Sequence, residues 1–137
     1  MIVVDTSAVI AILFAEPTAS ALSKRLSQEA FGDRLMTAAG YVEAGTVLAG
    51  RHASTERALE ILDRFLTNGG IRIVPVTEAL ARIALDARIR FGRGFGAPAA
   101  LNFGDSFSYA LAKSMNAPLL YVGNDFTQTD IVPALTS

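Results

Sequence analysis

Two hydrophobic periods alternate along this chain. Ile2-Val3-Val4 is apolar without a break and ends on Asp5, the pattern of a strand buried on both faces. A short helix is expected from Ser7 towards Ala15, stopped by Glu16-Pro17, and Thr18 is placed to cap a second helix reaching about Ala30. In that second helix Leu22, Leu26 and Ala30 recur every fourth position. Leu35-Met36-Thr37 reads as a short strand, 38–49 as a helix, and 54–67 as another with Leu59, Leu62, Phe65 and Leu66 on one face and a Glu60–Arg64 pair on the wet side. Asn68-Gly69-Gly70 stops it, and Ile71–Val76 is a strand. Thr77 caps a helix carrying Leu80, Ile83, Ala84, Ala87 and Phe91. Residues 92–104 form the one long irregular stretch, followed by a helix over 105–115, a strand over 119–122 and a last short strand at Ile131-Val132.

Strands alternating with helices predict an α/β fold: a three-layer α/β/α arrangement around a central, mainly parallel sheet of about five strands, with 1–137 as one domain. A hydrophobic fraction of 51% and a mean hydropathy of +0.38 fit strands that are apolar on both faces. No apolar stretch reaches the ~18 residues of a membrane span, and the N-terminus lacks the pattern of a signal peptide, so a cytoplasmic location is expected.

The absence of cysteine excludes disulfides, thiolate nucleophiles and Cys-based zinc sites. A single histidine, His52, beside Arg51 in a helix-to-helix connection, leaves little room for a His-rich site or a Ser-His-Asp triad. Catalysis, if present, falls to carboxylates. The net charge of −1 is not that of a generic nucleic-acid binder, although ten of the twelve basic residues are arginine, a side chain suited to phosphate as well as to exposed helices and interfaces. Gly92, Gly94 and Gly96 make no nucleotide fingerprint, because no strand precedes them and no helix follows directly.

Four acids stand in apolar surroundings. Asp5 follows the first strand, where open α/β sheets place their ligand crevices, and also serves as a helix N-cap. Glu43 has Ala39, Val42, Thr46 and Val47 as helical neighbours, so its charge needs a partner, either a metal or an arginine. Asp105 stands near a helix start, where the dipole favours an anion. Asp125 follows the last long strand and converges with Asp5 only if their two strands are neighbours; Asp130 is the reserve for this position. Such an oxygen-rich set favours Mg²⁺ or Mn²⁺.

The chain resembles the PIN-domain family, in particular the VapC-type toxin ribonucleases of toxin–antitoxin pairs. The matching segments are Val4-Asp5-Thr6-Ser7-Ala8, Tyr41-Val42-Glu43-Ala44, the stretch Pro98-Ala99-Ala100-Leu101-Asn102-Phe103-Gly104-Asp105-Ser106-Phe107-Ser108-Tyr109-Ala110-Leu111-Ala112, fairly specific from Leu101 onward, and Pro118–Phe126 with Thr129-Asp130-Ile131. Ser106 occupies a position where many relatives carry cysteine. The resemblance implies that Asp5, Glu43, Asp105 and Asp125 coordinate Mg²⁺ or Mn²⁺ and hydrolyse RNA phosphodiester bonds, with transfer or ribosomal RNA as candidate targets. It assigns Asp5 and Asp105 as central ligands, Glu43 as a ligand or water-orienting base, and Thr6 or Ser7 as support for Asp5 or contact to a phosphate. It further implies a VapB-type antitoxin whose C-terminal segment covers the acidic groove, and a homodimer. The first two helices, with Leu13 and Phe14, are candidate contact surfaces or core. Arg93, with Arg88 and Arg90 upstream, is a candidate phosphate contact, and Phe95 a stacking platform. The alternative is a non-catalytic PIN-like module that binds RNA or protein.

Overall fold

The computed structural model describes residues 1–92, 94, 96 and 100–136. Its elements follow the predicted order: β1 (Ile2–Val4), α1 (Thr6–Leu13), α2 (Ala19–Ser27), β2 (Arg34–Thr37), α3 (Ala38–Arg51), α4 (Thr55–Asn68), β3 (Ile71–Val74), α5 (Glu78–Phe91), α6 (Phe103–Met115) and β4 (Leu119–Leu120). The four strands form one parallel sheet in the order β3-β2-β1-β4. Since consecutive parallel strands need crossovers, every connection carries helix, and the helices cover both faces.

Alternation along β1 divides the core. Ile2 and Val4 face α1 to α4, where Leu22, Leu48, Leu62 and Leu66 pack around them. Val3 faces α5 and α6, where Leu80, Ala84, Tyr109 and Leu111 meet Leu35 and Leu119. A strand apolar at every position is therefore what a central strand between two helical layers requires.

Among the described residues the expected last strand at Ile131-Val132 is reduced to one bridge. Ile131-Val132 runs beside β4 with Leu119 N donating to Val132 O at 2.9 Å and Ala134 N donating to Leu119 O at 2.8 Å, but the pairing is a single bridge between Leu119 and Pro133. Pro133 has no N–H with which to extend the ladder. Other boundaries moved for local reasons. Thr18 stands at the head of α2 but makes no capping hydrogen bond, because its backbone is already helical. α2 ends at Ser27, short of Ala30. Glu60 lies nearest Arg57, at 3.9 Å, instead of pairing with Arg64. Leu59 is half-exposed at the edge of the α4 stripe. Thr77 caps α5 as expected, accepting from Leu80 N at 3.2 Å.

Candidate active site

Four acids on four separate segments come near one another, pair by pair, at the C-terminal edge of the sheet. β1 and β4 pair directly, with Val4 opposite Leu120, so the acids that follow them satisfy the condition for convergence. Asp5 is 3% exposed and caps α1. Its Oδ2 accepts from Ser7 N at 3.0 Å and from Ser7 Oγ at 2.6 Å. Its Oδ1 accepts from Ser108 Oγ at 2.6 Å, reaching across from the second turn of α6. Ser7 Oγ also accepts from Val122 N at 3.0 Å, so one hydroxyl joins the Asp5 carboxylate to the segment leaving β4.

Asp105 lies in the first turn of α6, two residues further in than a helix starting at residue 105 would put it. Asn102 is the cap: its Oδ1 accepts from Asp105 N at 2.8 Å, while Asp105 Oδ2 accepts from Asn102 N at 3.0 Å, a reciprocal capping box. Burial pushes the Asp105 carboxyl up to about 8; the nearby charges of Asp5 and Asp125 and a hydrogen bond shared with Asp125 act in the same direction, and the Asn102 backbone opposes them.

Glu43 projects from the second turn of α3. Val42 and Thr46 face solvent, so the stripe around it is less apolar than its sequence neighbours suggested, and the carboxylate is half-buried. Its pKa is raised, first by burial and then by the charge of Asp5, with a hydrogen bond from the Thr6 side chain opposing. The single Thr6 hydroxyl proton is shared with Gly40 O, 3.0 Å from Thr6 Oγ1, which fixes the start of α1 against α3. No arginine pairs with Glu43 among the described residues.

Three contributors carried no role in the sequence reading. Ser108 is one helical turn beyond Asp105, a spacing that places both on one face and was available as a signal. Asn102 announces the capping box. Gly104 is recognisable only in three dimensions: a Cβ there would collide with the Glu43 carboxylate. The missing side chain lets Glu43 lie against the first turn of α6, next to Asp105.

The other candidates fall elsewhere. Arg93 and Phe95 lie outside the described residues. Arg88 donates from Nη1 to Leu101 O at 2.8 Å, a brace across the ends of the irregular segment. Arg90 pairs with Asp86 at 3.3 Å and lies over the Phe91 ring. Asp130 accepts from Tyr109 Oη at 2.6 Å and pairs with Lys113 at 3.1 Å. The Tyr109 hydrogen bond, and then Lys113, hold its carboxyl below the ordinary range.

The donor set suits a hard divalent cation: carboxylate and hydroxyl oxygens only, with no ion pair to Asp5, Glu43, Asp105 or Asp125 among the described residues. No three of these acids close on a single point as a ready-made cage among those residues. They line the crevice in facing pairs instead, Asp105 toward Asp125 and Asp5, and Glu43 toward Asp5.

The PIN domain family model matches residues 2–132. A VapC ribonuclease of Mycobacterium bovis is 46% identical over 134 residues, covering 97% of each chain. Among solved structures, Mycobacterium tuberculosis VapC20, a sarcin-ricin loop cleaving toxin, superposes with a TM-score of 0.77 at 19% identity, covering 96% of this chain and 97% of its own. A toxin–antitoxin complex from Klebsiella pneumoniae gives a TM-score of 0.65 at 14% identity, covering 100% of this chain and 97% of the other. The chain belongs to the PIN-domain family, and within it groups with the VapC-type proteins. At these identities the two structures speak for the fold, and the sequence relative for the family.

Replacing Gly104 with alanine is expected to leave Tm unchanged or slightly higher, since alanine favours a helix by about 0.5–1 kcal/mol. Mn²⁺ affinity measured by calorimetry should fall about 10-fold as Glu43 is displaced, the scale of a lost supporting contact at a metal site. Glu43→Asp in the Gly104→Ala background shortens the side chain and should recover part of that loss.

Proposed function

We propose that this protein is a Mg²⁺- or Mn²⁺-dependent endoribonuclease, the toxin of a VapBC-type pair. The observation that carries the reading is the meeting of Asp5, Glu43, Asp105 and Asp125 at one edge of a PIN fold, supported by a full-length relative named as a VapC ribonuclease. Asp5 and Asp105 are the central metal ligands. Glu43 is a ligand or holds a water, and Asp125 completes the acid set. A bound divalent cation supplies acidified water and charge neutralisation at the phosphate. The protein's own groups do the positioning. Ser7 and Ser108 hold both oxygens of Asp5: Oδ2 accepts twice and Oδ1 once, so the spare acceptor capacity for a cation lies on Oδ1. Asn102 fixes the rotamer of Asp105, and Thr6 steadies Glu43. Thr6 and Ser7 lie at the head of α1, whose dipole favours a phosphate. Arg93 remains a candidate phosphate contact.

The substrate is RNA, with transfer and ribosomal RNA as the first targets to test. A VapB-type antitoxin that covers the acidic edge and a homodimeric assembly follow from the same family reading. No described helix is long and apolar enough to cross a membrane. A cytoplasmic setting is proposed on the same family grounds.

Purified antitoxin-free protein should cut a panel of structured RNAs with Mg²⁺ or Mn²⁺ and not with EDTA, and Asp5→Asn should lower the rate at least ~100-fold with unchanged circular dichroism. Metal-dependent cutting by a verified Asp5→Asn protein sinks the assignment. Absence of both cutting and Mn²⁺ binding in the wild type favours the non-catalytic PIN-like module.

Asp130→Asn separates the two candidates for the fourth acid. It should retain cleavage within a factor of about three while lowering Tm, because it weakens a side-chain hydrogen-bond network worth roughly 1 kcal/mol. Asp125→Asn should lose cleavage with little change in Tm.

The pH dependence has a definite sign. Asp105 carries a folded pKa of about 8 against an ordinary 3.8. Between those values the folded chain holds a proton that the unfolded chain has released, so stability falls as pH rises through the window. In EDTA, Tm should drop steadily from pH 5 to pH 8. Saturating Mn²⁺ should oppose the drop and stabilise most at the alkaline end, because it binds the deprotonated acids.

A further inference from the structure

A cleft of about 450 Å³ opens between the N-terminal part of α2 and the segment that leaves β4. Thr18, Ala21 and Leu22 form one wall; Tyr121, Asn124 and Thr127 form much of the other. The second wall is the backbone that serves the acids: Val122 N bonds Ser7 Oγ, which donates to Asp5, and Asn124 immediately precedes Asp125. The cleft therefore adjoins the acidic crevice through shared residues.

Its chemistry is unlike that of the crevice. No residue lining it carries a charge. Ala21 and Leu135 give the space apolar surface, Tyr121 adds an aromatic residue, and several polar groups border it. Two of these are uncommitted: among the described residues the Thr18 side chain makes no capping bond to α2, and the Asn124 side chain makes no hydrogen bond. A phosphate gains nothing from a neutral pocket beside four acids. A nucleobase gains on both counts, with flat apolar faces to bury and edge donors and acceptors to satisfy. Its volume is ample for one base and too small for a folded partner.

We propose that this cleft is a base-recognition subsite, taking the unstacked base of a nucleotide next to the bond that is cut. The proposal rests on the ribonuclease reading. Thr18 and Asn124 read the base edge, Ala21 and Leu135 support its face, and Ser7 links the occupied cleft to Asp5. Single-stranded loops, whose bases can turn outward, are then the preferred substrates.

Two variants test it away from the acids. Ala21→Trp fills the cleft from an exposed helix position, and Thr18→Val removes one hydroxyl at nearly constant volume. An RNA library randomised around a loop would be digested with Mn²⁺ and its ends sequenced. The expected result is a wild-type preference for one base beside the cut, flattened at least 10-fold by Ala21→Trp and about 5- to 10-fold by Thr18→Val, the range of one lost hydrogen bond. Identical base preferences in all three proteins would overturn the subsite. If the wild type cuts no RNA, the ribonuclease reading fails separately, and the cleft is decided by nuclear magnetic resonance with the four nucleoside monophosphates at millimolar concentration. Base-dependent shifts at Thr18, Ala21 and Asn124 that vanish in Ala21→Trp support the subsite; their absence in the wild type rejects it.

Discussion

A carboxylate buried at the end of a fully apolar strand sets the terms for the rest of this structure. Asp5 sits at the end of β1, a central strand of the sheet, where an unsatisfied charge costs several kcal/mol. Three donors answer it: the Ser7 amide, the Ser7 hydroxyl and the Ser108 hydroxyl. They arrive from two constraints. The first two require α1 to begin at Thr6. The third requires α6 to cross the end of β1 at its second turn, which brings Asp105 to the same place. Because Ser7 also holds Val122, the segment carrying Asp125 is tied to the same carboxylate. Asp5 thus organises the geometry of the acids around it.

The bonding that supports this edge is made by neutral groups, while the arginines work elsewhere. Arg34 is buried at the start of β2 and spreads its guanidinium over Glu29 O and Gly69 O, with the Phe31 ring stacked on it. Arg25 reaches Ala134 O, and Arg88 reaches Leu101 O. These arginines close chain ends and turns by capturing backbone carbonyls, a use that suits a planar fork with several donors. The arginine-rich composition therefore reflects architecture in good part. Among the described residues no arginine or lysine pairs with the acids of the crevice, so their charge is not neutralised by the protein's own cations.

Local patterns in the chain determined the elements and most of the chemistry. The uninterrupted Ile2-Val3-Val4 run, the cap at Thr77 and the stop at Asn68-Gly69-Gly70 all act within a few residues, so propensity, capping and periodicity are enough to place them. The same holds for the acids as types: Asp5, Glu43 and Asp105 stand out because their neighbours are apolar or helix-initiating. Tertiary structure decided what depends on strand order and on contacts distant in sequence. Adjacency of β1 and β4 brings the segments bearing Asp5 and Asp125 together, whereas Tyr109 and Lys113 draw Asp130 to the flank of α6. Pro133 reduces the expected fifth strand to one bridge. Gly104 matters only because α3 delivers Glu43 to the space its missing Cβ leaves. A sequence encodes each residue's local preference directly, but a steric fit or a shared hydrogen bond between segments some sixty or a hundred residues apart exists only once packing has brought them within reach.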